Sequence, residues 1–96
     1  MYELKAINAV KKDLNILNRA TVKEIRENHF PRIKKDPHQA DSLGYAFKGL
    51  YSYHFRHVGT AYRIIYEIYE EENLIIVLLI GSRENLYERL RRRLKR

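Results

Sequence analysis

The sequence predicts an α+β domain: an antiparallel β-sheet, built from a three-strand meander and a short N-terminal strand, with an N-terminal helical hairpin on one face and a short basic helix at the C-terminus. Three observations carry that expectation. Apolar residues recur at helical spacing through residues 8–35, the pattern switches to strand-type alternation from residue 50, and the last leucines fall four apart among arginines. With 96 residues, 45% hydrophobic and 32% charged, the chain is sized for one domain, residues 1–96, with a modest core.

Tyr2, Leu4 and Ala6 alternate with Glu3 and Lys5, the pattern of a half-buried strand. Asn8 is the expected N-cap of a helix that turns Val10, Leu14 and Leu17 inward and Lys11, Lys12 and Asp13 outward. After Asn18 to Ala20, Thr21 is the expected cap of a second helix with Val22, Ile25, His29 and Ile33 on its inner side. Pro31 removes a backbone donor and clashes with the preceding turn, so that helix should kink or break near Asn28 to Phe30 and end before Asp36-Pro37. Residues 36–50, mixing Asp, Pro, His, Gln, Ser and two glycines, have the composition of a loop. Strands follow at Leu50 to Arg56, Tyr62 to Tyr69 and Leu74 to Ile80, joined by segments short enough for hairpins. The third is apolar at every position, so both its faces need cover, one from the helical hairpin and the other from the final segment. Leu86, Leu90 and Leu94 form the stripe that would supply it.

The chain has no cysteine, which excludes a disulfide framework and a thiolate metal site. No apolar run approaches the ~20 residues of a membrane span, and the N-terminus lacks the basic-then-apolar order of a signal peptide, so a cytoplasmic protein is expected. Lysine and arginine number 19 against 12 acidic residues, a net charge of +7 that favours a polyanionic partner, nucleic acid first.

Alternation along the first meander strand sends Ser52, His54 and Arg56 to one face and Tyr51, Tyr53 and Phe55 to the other. On the next strand Arg63 opposes Tyr62, Ile64, Tyr66 and Ile68, and pairing the apolar faces places it beside His54 and Arg56. Arg83 follows the buried strand, and Tyr87 begins the helix that crosses the same face. A basic cleft with a phenol is the expected result. Plainer uses stay open at this stage: Arg63 pairing with Glu67, Arg83 with Glu84 or Glu88, and Tyr87 padding the helix. His54 and His57 face opposite sides, so no metal pair is expected, and His29 and His38 read as helix-face and loop residues without partners. Tyr51, Tyr53, Tyr62 and Tyr66 read as core aromatics. In the final segment Arg89, Arg91, Arg92, Arg93, Lys95 and Arg96 face only Glu88, a run that reads as a solvated helix face or as one that follows nucleic-acid phosphates with a steep salt dependence.

The segments Phe47-Lys48-Gly49-Leu50, Tyr51 to Arg56, Ala61 to Ile68 and Ile80 to Tyr87 together resemble the RelE/ParE superfamily of bacterial toxin–antitoxin toxins, in particular its RelE-like mRNA interferases. The resemblance runs over nearly the whole chain. It implies a ribosome-dependent endoribonuclease with His54, Arg56, Arg63, Arg83 and Tyr87 at the site of cleavage. It further implies Lys48 and the C-terminal cations on RNA, a cognate antitoxin and the mRNA-bearing ribosome as partners, and no cofactor or metal. Two positions depart from the pattern: His54 stands where RelE has lysine, and Ser82 where relatives often have histidine or lysine. RNA cleavage through its 2′-hydroxyl needs a proton acceptor, cations on the developing phosphorane and a proton donor for the 5′-oxygen. Arg63 and Arg83 suit the clamp, while base and acid stay unassigned between His54 and Tyr87. The alternatives are a ParE-like toxin that inhibits DNA gyrase without catalysis, and a plain RNA-binding module.

Overall fold

The computed structural model describes residues 1–95. Arg96, one of the cations expected on RNA, lies outside the described residues. The elements run β1 (Glu3–Ala6), α1 (Ala9–Ile16), α2 (Arg19–Glu24), a π-helical turn (Ile25–His29), α3 (Phe30–Lys35), β2 (Asp41–Ser42), β3 (Leu50–His57), β4 (Thr60–Tyr69), β5 (Leu74–Ser82) and α4 (Leu86–Leu94). The sheet has five strands in the order β1-β5-β4-β3-β2, with β3, β4 and β5 forming the expected antiparallel meander. Two details go beyond the sequence pattern. β1 pairs with β5 in parallel, so the sheet is mixed, and the region expected as loop contributes the two-residue edge strand β2, paired with Ser52 and Tyr51.

The helical hairpin covers one face of the sheet, where Val10, Ile25 and Ile33 meet Tyr53, Phe55, Tyr62, Ile64, Tyr66, Ile75, Val77 and Ile80. Leu86 and Leu90 of α4 cover the other with Phe47, Leu50, Ile65, Leu78 and Leu79. β5 serves both layers by alternation, with Ile75, Val77 and Ile80 on one face and Ile76 and Leu79 on the other, and a bulge shifts its phase. Ile65 pairs with Leu79 and Tyr66 with Val77, so Leu78 is an extra residue that shifts the alternation and lets Leu78 and Leu79 both join the α4 layer. Leu94, expected to extend the stripe of α4, is 41% exposed and does not join the layer that Leu86 and Leu90 build.

Local differences from the sequence reading have physical causes. Asn8 is already helical and caps nothing through its side chain; α1 is entered through Val10 and Lys11 N–H groups bonded to the Ile7 and Asn8 carbonyls. Asn18, not Thr21, caps α2, accepting from the Thr21 N–H at 2.8 Å, while Thr21 itself is buried against His57. Pro31 leaves its helix unbroken, and the irregularity expected near Asn28 to Phe30 takes the form of a π-turn over Ile25–His29. The π-turn bonds the Phe30 N–H to the Ile25 carbonyl and absorbs the mismatch, keeping Ile25, His29 and Ile33 inward.

The largest departure concerns Asp13, which was expected in solvent and is only 3% exposed. β1 stops opposite Val77, so the edge of β5 beyond it has no neighbouring strand. Asp13 of α1 accepts from the Ile80 N–H at 3.0 Å, and Arg93 of α4 donates to Asp13 at 2.5 and 3.0 Å and to the Leu78 carbonyl at 3.1 Å. Arg89 adds a contact to Asp13 at 3.7 Å. A charged clasp thus satisfies the exposed sheet edge and ties together two helices on opposite faces.

Candidate functional site

Pairing in the meander sets three cleft positions directly. His54 lies across from Arg63, Arg63 across from Gly81, and Arg56 across from Ala61. The chain then leaves β5 with the Arg83 N–H bonded to the Ala61 carbonyl at 3.1 Å, which holds Arg83 beside the β3–β4 hairpin. Asn85 adopts left-handed backbone angles (φ 55, ψ 22), a conformation asparagine tolerates, and turns the chain back into α4. The outcome is a shallow cleft of about 310 Å³ lined by His54, Phe55, Arg56, Ala61, Tyr62, Arg63 and Arg83.

Tyr87 closes one side. Its hydroxyl accepts from Arg63 Nη1 at 2.5 Å, and the guanidinium sits 5.5 Å from the ring centroid. Beneath the ring, Phe47 stacks at 5.9 Å with an interplanar angle of 19°, and Arg91 covers Phe47 at 5.6 Å. Phe47 therefore fixes the tilt of the phenol, a role the sequence pattern did not single out. The five residues expected at the site are brought together on the face opposite the helical hairpin. Among the described residues neither Arg63 nor Arg83 has a carboxylate within 4.0 Å, so the alternative pairings with Glu67, Glu84 and Glu88 do not form. Their charge stays available to a ligand.

Glu84 lines an adjoining hollow with Arg56 and Arg83, and on the other side Asp41 of β2 brings its Oδ2 to 3.5 Å from His54 Nε2. No local signal marks Asp41 in the sequence. The described residues contain no cluster of three metal-ligating side chains.

Over residues 4–91 the chain matches the family described as ParE-like toxin of type II bacterial toxin–antitoxin system. It belongs to that family. The toxin's fold is similar to that of a mutant of the Escherichia coli toxin RelE in the free state, with a TM-score of 0.75 at 17% identity, covering 98% of each chain. The toxin chain of the RelBE2 toxin–antitoxin complex from Mycobacterium tuberculosis superposes with a TM-score of 0.73 at 23% identity, over 85% of this chain and 98% of the other. The archaeal RelE–RelB complex from Pyrococcus horikoshii gives 0.59 at 23% identity, over 86% and 96%. These likenesses, all below 25% identity, are of fold alone. No curated protein matches its sequence, and no helix is long and apolar enough to cross a membrane.

Among the described residues, the cations expected on RNA divide in two. Lys48, Arg91, Arg92 and Lys95 are exposed, Arg92 with Glu88 at 3.7 Å. Arg89 and Arg93 turn inward to Asp13 instead, with side chains 29% and 20% exposed, so two of the expected phosphate contacts serve the fold. Two histidines expected without partners have them. His29 is buried on Phe55, bonds Tyr53 at 2.8 Å and lies 3.3 Å from Glu24; burial, chiefly, holds its pKa below the ordinary imidazole value. His38 bonds Glu70, whose carboxyl is held below the usual range by the Tyr2 hydroxyl first and by His38.

Proposed function

We propose that the toxin is a ribosome-dependent mRNA endoribonuclease that cleaves through the RNA 2′-hydroxyl and thereby inhibits translation. The observation that carries this reading is Arg63, paired across the sheet with His54, bonded to the Tyr87 hydroxyl at 2.5 Å and sharing its cleft with Arg56 and Arg83. Fixed cations around two groups able to exchange protons are what the reaction requires. In that reading the 2′-oxygen loses its proton to one of His54 and Tyr87 and attacks phosphorus. Arg63 and Arg83 hold the non-bridging oxygens as charge builds, and the P–O5′ bond breaks as the 5′-oxygen gains a proton from the other. The products are a 2′,3′-cyclic phosphate and a 5′-hydroxyl. Arg56 holds a flanking phosphate, and Lys48, Arg91, Arg92 and Lys95 extend the cationic surface toward ribosomal RNA. A cognate antitoxin, whose acidic and apolar segment folds on binding, covers the cleft or displaces α4.

The test is to map the ends of mRNA incubated with purified toxin, with and without translating ribosomes. Cuts bearing 5′-hydroxyls should appear with ribosomes only. Arg83→Ala should slow them by roughly 10²–10³-fold and Tyr87→Phe by roughly 10²–10⁴-fold, both variants remaining folded. The matched family's ParE-like description favours a second reading, a non-catalytic inhibitor of DNA gyrase. Uncut RNA in both reactions, with loss of gyrase supercoiling on adding toxin, would establish that one instead.

A further inference from the structure

The basic cleft does not end at His54. Toward the sheet edge a second hollow of about 300 Å³ is lined by Gln39, Ala40, Asp41, Ser52, Tyr53 and His54. Ser52 is fully buried, and its hydroxyl has no hydrogen-bond partner. Asp41 stands directly across from Ser52 in the β2–β3 pair, with its side chain 77% exposed and its carboxylate 3.5 Å from His54. None of the residues lining the neighbouring arginine cleft is acidic, so Asp41 is the one carboxylate lining either hollow.

A phosphate would be repelled by Asp41, and a surface built only to hold phosphate would not place a carboxylate there. A buried hydroxyl without a partner is unfavourable until something bonds it. We propose that this hollow is a nucleobase subsite that takes a base with an exocyclic amino group, cytosine being the best match, beside the phosphate held by the arginines. A carboxylate accepts from the cytosine N4 amino group, the Ser52 hydroxyl can donate to or accept from another polar atom of the base edge, and the His54 ring at the shared rim offers a stacking surface. Uracil turns a carbonyl oxygen to the same carboxylate and is disfavoured by repulsion. Because the two hollows share His54, a base and its adjoining phosphate can occupy both. The inference rests on the reading that the arginine cleft receives RNA, and adds a preference at one position of it.

The experiment titrates the whole protein with cytidine 3′-monophosphate, uridine 3′-monophosphate and inorganic phosphate, followed by backbone amide NMR. All three should shift the amides of Arg63 and Arg83. Cytidine 3′-monophosphate alone should also shift Asp41 and Ser52, and should bind roughly tenfold more tightly than the uridine compound. Asp41→Ala should bring the two nucleotides within about twofold of each other without weakening inorganic phosphate. Equal affinities in the unaltered protein, or a preference that survives Asp41→Ala, would overturn the subsite. So would an equal loss for both nucleotides in the variant, which would assign Asp41 to holding His54 alone. The titration needs neither ribosome nor cleavage, so a toxin that prefers cytidine yet leaves mRNA intact refutes the nuclease reading and not the subsite.

Discussion

Asp13→Ala is the most informative perturbation of the fold. The substitution removes both carboxylate oxygens from a side chain only 2% exposed, leaving the Ile80 N–H without its acceptor and the Arg93 guanidinium without its counter-charge. Breaking a buried pair by deleting one partner costs ~3–5 kcal/mol, and an unpaired buried N–H costs ~1–3 kcal/mol. These two figures describe the same oxygens and do not add. Arg93, with a fifth of its side chain exposed in the last turn of α4, can swing into water, which places the expected loss at the lower end, about 3 kcal/mol. Urea denaturation monitored by far-ultraviolet circular dichroism reads it as a lower midpoint at unchanged slope. Arg93→Ala should cost less, because Asp13 retains Ile80 and Arg89, and the double variant should fall well short of the sum of the two losses. A loss under ~1 kcal/mol for Asp13→Ala, or strict additivity with Arg93→Ala, would refute the clasp as a stabilising element.

Three further outcomes follow from the structure. Burial lowers the folded-state pKa of His29, so the unfolded chain takes up that proton first; the contribution is complete above pH ~6.5 and declines as pH falls toward the folded value. Unfolding free energies between pH 7.5 and 5 should therefore fall more steeply for the native protein than for His29→Gln, and parallel curves would disprove the linkage. At Gly81 an added Cβ would lie 2.5 Å from Arg89 Nη1, the tip of a flexible side chain that can move aside, so Gly81→Ala should lower stability by less than about 1 kcal/mol and by nothing in an Arg89→Ala background; equal losses in both backgrounds would show that Arg89 is not the obstacle. For single-stranded RNA, Arg91→Gln should reduce the salt slope of log affinity by about 0.7. Arg93→Gln should leave that slope nearly unchanged, because its charge is held by Asp13, and filter-binding isotherms across a salt series distinguish the two.

The legible part of this protein is the part written in periodicity. Spacing of Val10, Leu14 and Leu17, and then of Ile25, His29 and Ile33, marks the helical layer, because a helix repeats its inner face every three to four residues wherever it packs. Alternation along Tyr51 to Arg56 and Tyr62 to Ile68 commits each side chain to one face, so the convergence of His54, Arg56 and Arg63 follows from pairing the apolar faces. Leu74 to Ile80 announces a strand covered on both sides, and residues 86–90 provide the second cover.

What only the tertiary structure decided are the partners of charged and polar groups, which no local pattern encodes. A carboxylate among lysines reads as solvent-facing, yet Asp13 turns inward because β1 ends early and leaves the edge of β5 open to it, with Arg93, 80 residues away in sequence, closing the pair. That contact separates Arg89 and Arg93 from Arg91, Arg92 and Lys95, which look equivalent in a basic run. Asp41 stands at the rim of the cleft, and Phe47 lies beneath Tyr87, through loop geometry of the same kind. Burying apolar area needs only a matching face, which periodicity specifies, whereas an ion pair or a hydrogen bond needs a particular atom at a particular distance, which the assembled chain alone determines.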